Sequence, residues 1–119
     1  MEVLVTNTVI KQIQQDGTFR ITTEDQADAI LDGVVQGIGR SPARAVRGNV
    51  LASSEFNLGV TVGYTLRKKD GAAVAGPASI AGGTSFFVGD DPQQDERQAL
   101  PLAVEDLAVR LVSQLSEGW

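Results

Sequence analysis

The chain contains no cysteine and no histidine. Without cysteine there is no disulfide and no thiolate metal site; without histidine the commonest general base and the commonest transition-metal ligand are missing. Aromatic residues make up only 5% of the chain, with one Trp and one Tyr. No apolar run approaches the ~20 residues of a membrane-spanning helix, and no signal-peptide pattern is present. A secreted domain would look the same, so these features do not fix a compartment. Basic residues are outnumbered, 10 Lys and Arg against 15 Asp and Glu, for a net charge of -5. A nucleic-acid binder usually carries a basic excess on one face, so no nucleic-acid partner is expected.

What is present suits one folded domain, residues 1–119: 42% of residues are hydrophobic and 21% charged. The chain is organised around Asn49 to Arg67. Val50, Ala52, Ser54, Phe56, Leu58, Val60, Val62, Tyr64 and Leu66 alternate there with Asn49, Leu51, Ser53, Glu55, Asn57, Gly59, Thr61, Gly63, Thr65 and Arg67. The first set is almost wholly apolar and the second polar or small, the period of a half-buried antiparallel strand. Unbroken, it would run about 60 Å at ~3.3 Å per residue, so a bend or bulge is expected at Gly59 or Gly63.

Glu2 to Asp16 reads as a helix with Val5, Val9 and Ile13 on one stripe and Gly17 as its C-cap. Val3, Leu4 and Val5 read alternatively as the tail of a strand. Thr18 to Thr22 is a short strand candidate, followed by a polar turn at Glu24-Asp25-Gln26. Ala27 to Ile38 is a second strand with neither face clearly polar, which implies cover on both. Gly39 to Gly48 is a loop, and Lys68 to Gly71 a hairpin turn. The return strand runs from about Val74 to Val88. Pro77 makes it an edge or a bulge, and Gly82-Gly83 suggests a bend. Asp91 as N-cap and Pro92 as first helical residue open a last helix. Its core stripe is Leu100, Ala103, Val104, Leu107, Ala108, Leu111 and Leu115, and Pro101 should kink or restart it. The order predicts an α+β fold. It is a two-layer sandwich, a mainly antiparallel sheet with an N-terminal and a C-terminal helix packed on one face.

Little here points to catalysis. Asp90-Asp91 fits a helix cap and Glu105-Asp106 the polar side of a helix. The Asp25-Asp28 and Asp90-to-Glu96 groups lack EF-hand spacing, and Gly37-Ile38-Gly39 and Gly82-Gly83 are not phosphate loops. No cofactor or metal is expected. Two basic clusters, Arg40, Arg44 and Arg47 in one loop and Arg67, Lys68 and Lys69 at the hairpin, would sit at opposite ends of the long strand. They suit contact with an anionic lipid or an acidic partner, or serve only as solvated turn charges. The outward sheet face, Ser53, Asn57, Gly59, Thr61, Gly63 and Thr65 beside Ser79, Ala81, Gly83 and Ser85, is small and charge-poor save for Glu55. Ile30, Val34 and Ile38 would join it. It suits either a docking surface or an ordinary solvated face.

Several stretches together resemble the LPS-assembly lipoprotein family, LptE. They are Phe19-Arg20-Ile21 followed by Gln26-Ala27-Asp28-Ala29-Ile30-Leu31-Asp32-Gly33, then Arg47-Gly48-Asn49-Val50-Leu51. Val60 to Arg67 follows, with Asp70-Gly71 after it, and then Ala99-Leu100, Glu105-Asp106-Leu107-Ala108 and Leu115 to Trp119. The resemblance implies a non-enzymatic sandwich protein on the periplasmic side of the outer membrane. It would partner a large β-barrel, LptD, and help place lipopolysaccharide in the outer leaflet. Family members begin with a signal peptide, a lipid-bearing Cys and a first strand. This sequence shows none of the three, so the resemblance implies a trimmed or divergent member whose lipid anchor is absent from this chain. The alternative function is that of another periplasmic lipoprotein of similar fold that activates a cell-wall synthase.

Overall fold

A computed structural model describes residues 1–42, 55–87 and 92–118. Helix α1 (Glu2–Asp16) leads, a single 3-10 turn (Glu24–Gln26) follows, and strands β1 (Ala29–Pro42), β2 (Glu55–Lys68) and β3 (Ala73–Phe87) precede helix α2 (Pro92–Gly118). The three strands form one antiparallel sheet in the order β1-β2-β3.

The central strand holds the alternation read from the sequence. Leu58, Val60, Val62, Tyr64 and Leu66 are buried and Phe56 half-buried, while the residues between them are more open. No bulge falls at Gly59 or Gly63. Each register shift places its extra residue on a neighbouring strand: Gln36 of β1 between the pairs of Val35 and Gly37, and residues of β3 around Gly76-Pro77 and Val74. The outer strands absorb the irregularity, and β2 stays regular. Pro77 does lie on an edge strand at a bulge, as expected for a residue without an N–H, and the Gly76–Pro77 peptide is cis.

Helix α1 has the predicted bounds. Val5, Val9 and Ile13 are buried, and Gly17 ends it at φ 81, a left-handed conformation that glycine adopts without a Cβ penalty. Its packing partner is α2, and Ser116 donates to Asp16 Oδ2 at 2.9 Å where the carboxyl ends of the two helices meet. In α2 Ala99, Ala103, Val104, Leu107, Ala108, Leu111, Val112 and Leu115 are buried against the sheet and α1; Ala99 and Val112 extend the predicted stripe. Each fully buried Leu or Val removes apolar surface worth about 1.5–3 kcal/mol. Among polar side chains, Tyr64 donates its hydroxyl to Gln114 Oε1 at 2.5 Å, tying the sheet to α2.

Five expectations change. Thr18 to Thr22 is not a strand. The Thr18 N–H turns back to the Asp16 carboxylate, and the segment is not among the three strands of the sheet, although Phe19 packs against the core. β1 begins two residues later than predicted and runs on to Pro42, so Arg40 is strand, not loop. Only one face of β1 is covered: Val34 is 67% exposed. Of the kink or restart expected at Pro101, the restart is absent, since α2 is helical from Pro92 to Gly118. Gly82 is not a bend but a place of close approach, since a Cβ there would lie 2.3 Å from the Leu107 nitrogen. Asp90 and Asp91, and the first part of the long stretch from Asn49 to Ser54, lie outside the described residues.

Candidate functional site

The face of the sheet turned away from the helices is the most extended surface whose residues the strand register fixes. Asn57, Thr61 and Thr65 lie on it as expected, with Gly59 and Gly63 between them. Ser53 lies outside the described residues. Register sets Ser41, Asn57 and Ser85 in one row across the three strands, Gly39, Gly59 and Gly83 in the next, and Gly37, Thr61 and Ala81 in a third. These rows make a low, uncharged floor, and an open depression of about 500 Å³ runs along it between Ser41, Asn57 and Ser85 and the β3 edge. Asp106 and Arg110 of α2 border the depression at the β3 edge, and the charges that the strands themselves bring to this face lie at its ends. Glu55 sits opposite the exposed Phe87 at one end, and Arg67 is ion-paired with Asp32 at 2.8 Å at the other.

The bulge at Gln36 decides which apolar residues join this face. Ile30 and Val34 do, because they precede the bulge and pair with Arg67 and Gly63. Ile38, expected here, does not. The extra residue inverts the alternation, so Ile38 pairs with Val60 and turns to the helix side. Gln36 itself reaches across β2 and accepts a 2.8 Å hydrogen bond from Ser79 Oγ on β3. It crosses at Gly63, where a Cβ would stand 2.6 Å from its amide nitrogen. Alternation alone carried no sign of this strap.

Arg40, the one described residue of its cluster, is not brought near the hairpin cations. Arg40 pairs opposite Leu58, nine positions from Arg67 along β2, or about 30 Å of strand. Arg40 is engaged by Glu96 of α2 at 3.5 Å; Arg44 and Arg47 lie outside the described residues. At the hairpin Arg67 is committed to Asp32, whose hydrogen bond and charge raise the Arg67 pKa further. The Lys69 N–H donates to the Asp28 carbonyl at 3.1 Å and its ammonium lies 3.4 Å from the Asp25 carbonyl. Lys68 is exposed in the turn closed by the Gly71 N–H to Lys68 carbonyl bond. The tip is therefore mixed in charge, with Asp25, Asp28, Asp32 and Asp70 in or against it.

One polar group was missed by sequence reasoning, which placed Asp106 on the solvent side of a helix. Its carboxylate accepts the Gly83 N–H at 2.9 Å and the Arg110 side chain at 3.0 Å. The Gly83 N–H above all, against the opposing effect of burial that ranks next and with Arg110 adding its hydrogen bond and charge, holds the Asp106 carboxyl below the usual Asp value. Nothing in the Glu105-Asp106 doublet distinguishes this residue, because its partner is a backbone amide 23 positions away.

The family model for LptE, lipopolysaccharide assembly, matches residues 1–115. Among solved structures, a candidate lipoprotein from Caulobacter crescentus CB15 aligns at a TM-score of 0.66 and 16% identity, over 97% of this chain and 80% of that one. A minor lipoprotein from Acinetobacter baumannii aligns at 0.65 and 15% identity, over 96% and 84%. At such identities the structures speak for the fold. Among curated proteins none matches the chain.

Proposed function

The chain belongs to the LptE lipopolysaccharide-assembly family, and from that premise we propose that it is a non-enzymatic assembly factor at the periplasmic side of the outer membrane. In this reading it docks with a large LptD-like β-barrel and assists the passage of lipopolysaccharide to the outer leaflet. The observation that carries the reading is the family match over residues 1–115, nearly the whole chain. The fold supports it, since the sheet offers a broad face whose central rows are free of charge and of bulky side chains. Such a surface can lie flat against a partner wall without burying unpaired charge, which would cost several kcal/mol. The hairpin cations Lys68 and Lys69, and the loop cations Arg44 and Arg47 that the sequence offers, are the groups proposed to meet lipid phosphates or an acidic partner loop.

The test is co-purification. The full-length protein, tagged in its host and extracted in mild detergent, should bring down a large outer-membrane β-barrel in near-equal amount. Thr61→Arg, which puts bulk and charge in the middle of the face, should keep the fold and cut recovery at least severalfold. Absence of a barrel with the unsubstituted protein overturns the assignment. Equal recovery with Thr61→Arg leaves the partner standing and removes the face.

A further inference from the structure

β3 is one edge of the sheet, and an edge strand presents unpaired backbone donors and acceptors on which another strand can build. Gly83 lies along that edge, opposite Gly59 of β2. Its N–H, turned to the free side of the strand, donates to Asp106 Oδ2 at 2.9 Å. Arg110, one helical turn further on, holds the same oxygen at 3.0 Å. The neighbouring Gly82 is buried beneath the α2 backbone at Leu107, which fixes the helix over β3 and brings Asp106 out to the edge. Such a bond is unusual for its setting: a carboxylate on a helix surface ordinarily faces water, and this one reaches across to a strand amide.

We propose that Asp106 guards the β3 edge, occupying the Gly83 N–H so that the same strand of a second copy of this chain cannot add to the sheet there. A strand building on β3 needs that N–H for its ladder and must pass through the volume that the Asp106 and Arg110 side chains hold. The second copy is the occupant the strand itself favours. Ala81, Gly83 and Ser85 carry small side chains or none, and antiparallel pairing of β3 with itself about a two-fold axis at Gly83 sets glycine against glycine. Because the Gly83 N–H is bound by a charged acceptor, no incoming neutral carbonyl displaces it without leaving the carboxylate short of a donor.

The purified chain decides this through two variants read by light scattering and by amide exchange in NMR. The unsubstituted protein should remain monomeric with Gly83 protected. Asp106→Ala should stay folded by circular dichroism, expose the Gly83 amide to exchange about tenfold faster or more when dilute, and form dimers as concentration rises. In those dimers the amides from Ser79 to Phe87 should regain protection. Asp106→Asn, whose side-chain oxygen accepts the same bond, should stay monomeric. If the alanine variant fails to fold, Asp106→Ser, too short to reach the amide, takes its place with the same expectation. A folded alanine or serine variant that stays monomeric at every concentration overturns the proposal. So does an asparagine variant that dimerises as readily as alanine.

Discussion

Gly82 and Gly37 are both strand glycines, and the structure separates them by what a methyl group would meet. At Gly37 a Cβ has nothing within 4 Å; at Gly82 it lies 2.3 Å from the Leu107 nitrogen and 2.5 Å from its Cα. A flexible side chain could move aside, but helix backbone inside a packed core cannot. Gly82→Ala should therefore cost about 3 kcal/mol or more, the upper end for overpacking, and lower the melting temperature by more than about 10 °C. Gly37→Ala should change it by no more than about 1 kcal/mol, the spread of strand propensities. Thermal unfolding followed by circular dichroism distinguishes them, and equal losses would mean that α2 does not bear on Gly82. Asp16 makes a related point. A carboxylate at the C-terminal end of a helix opposes the dipole, yet Asp16 accepts the Thr18 N–H at 3.3 Å and the Ser116 hydroxyl at 2.9 Å. These bonds hold its pKa below the usual Asp value, and they tie α1 to α2 at the place where α1 ends.

The elements differ in how far their sequence announces them, and the difference follows from their irregularities. β2 has no extra residue of its own, so period-two alternation runs unbroken through it and its buried side was readable residue by residue. β1 and β3 carry the bulges, and past each one the alternation inverts; that is why Ile38 was assigned to the wrong face. The α1 stripe and its glycine cap are local signals and gave the helix its full bounds. The 18–22 segment has strand-like residues, but strand formation depends on a neighbour, which propensity does not report. Asp106 with Gly83, and Gln36 with Ser79, are contacts between distant positions, invisible to any local pattern. That Pro101 does not restart the helix has a different reason. Proline in a helix interior loses one backbone bond and costs about 3 kcal/mol relative to alanine, but α2 buries a long apolar stripe on both sides of it, from Ala99 and Ala103 to Leu115, and that packing outweighs the local cost. Pro101 itself is exposed. Pro101→Ala should thus raise stability by about 1–3 kcal/mol, seen as a higher denaturant midpoint with an unchanged slope. No gain would mean that the helix already accommodates the ring without loss.

At the scale of the whole molecule the protein is a rod, 59 × 21 × 21 Å, with a radius of gyration of 17.0 Å, against about 13–14 Å for a compact chain of this length. Elongation keeps Arg40 apart from the hairpin cations, so each must act by itself on a protein with a net charge of -5. With a Debye length of about 8 Å at physiological ionic strength, neither end feels the other. At the hairpin end, Arg67 is taken by Asp32 while Lys68 lies exposed in the turn and Lys69, among the described residues, meets backbone carbonyls of Asp25 and Asp28. Any attraction for lipid phosphates there must come from the two lysines. Lys68→Glu with Lys69→Glu leaves the Arg67–Asp32 pair in place and should lower affinity for lipopolysaccharide about tenfold at low salt, with the difference shrinking as salt is raised. Reversing Arg40, Arg44 and Arg47 tests the other basic cluster of the sequence, but Arg40 also pairs with Glu96. A loss of binding in that variant therefore counts only if α2 keeps its helicity. Affinity unchanged in both reversals would show that lipid phosphates are met by neither basic cluster, and would leave the sheet face as the surface through which this protein acts.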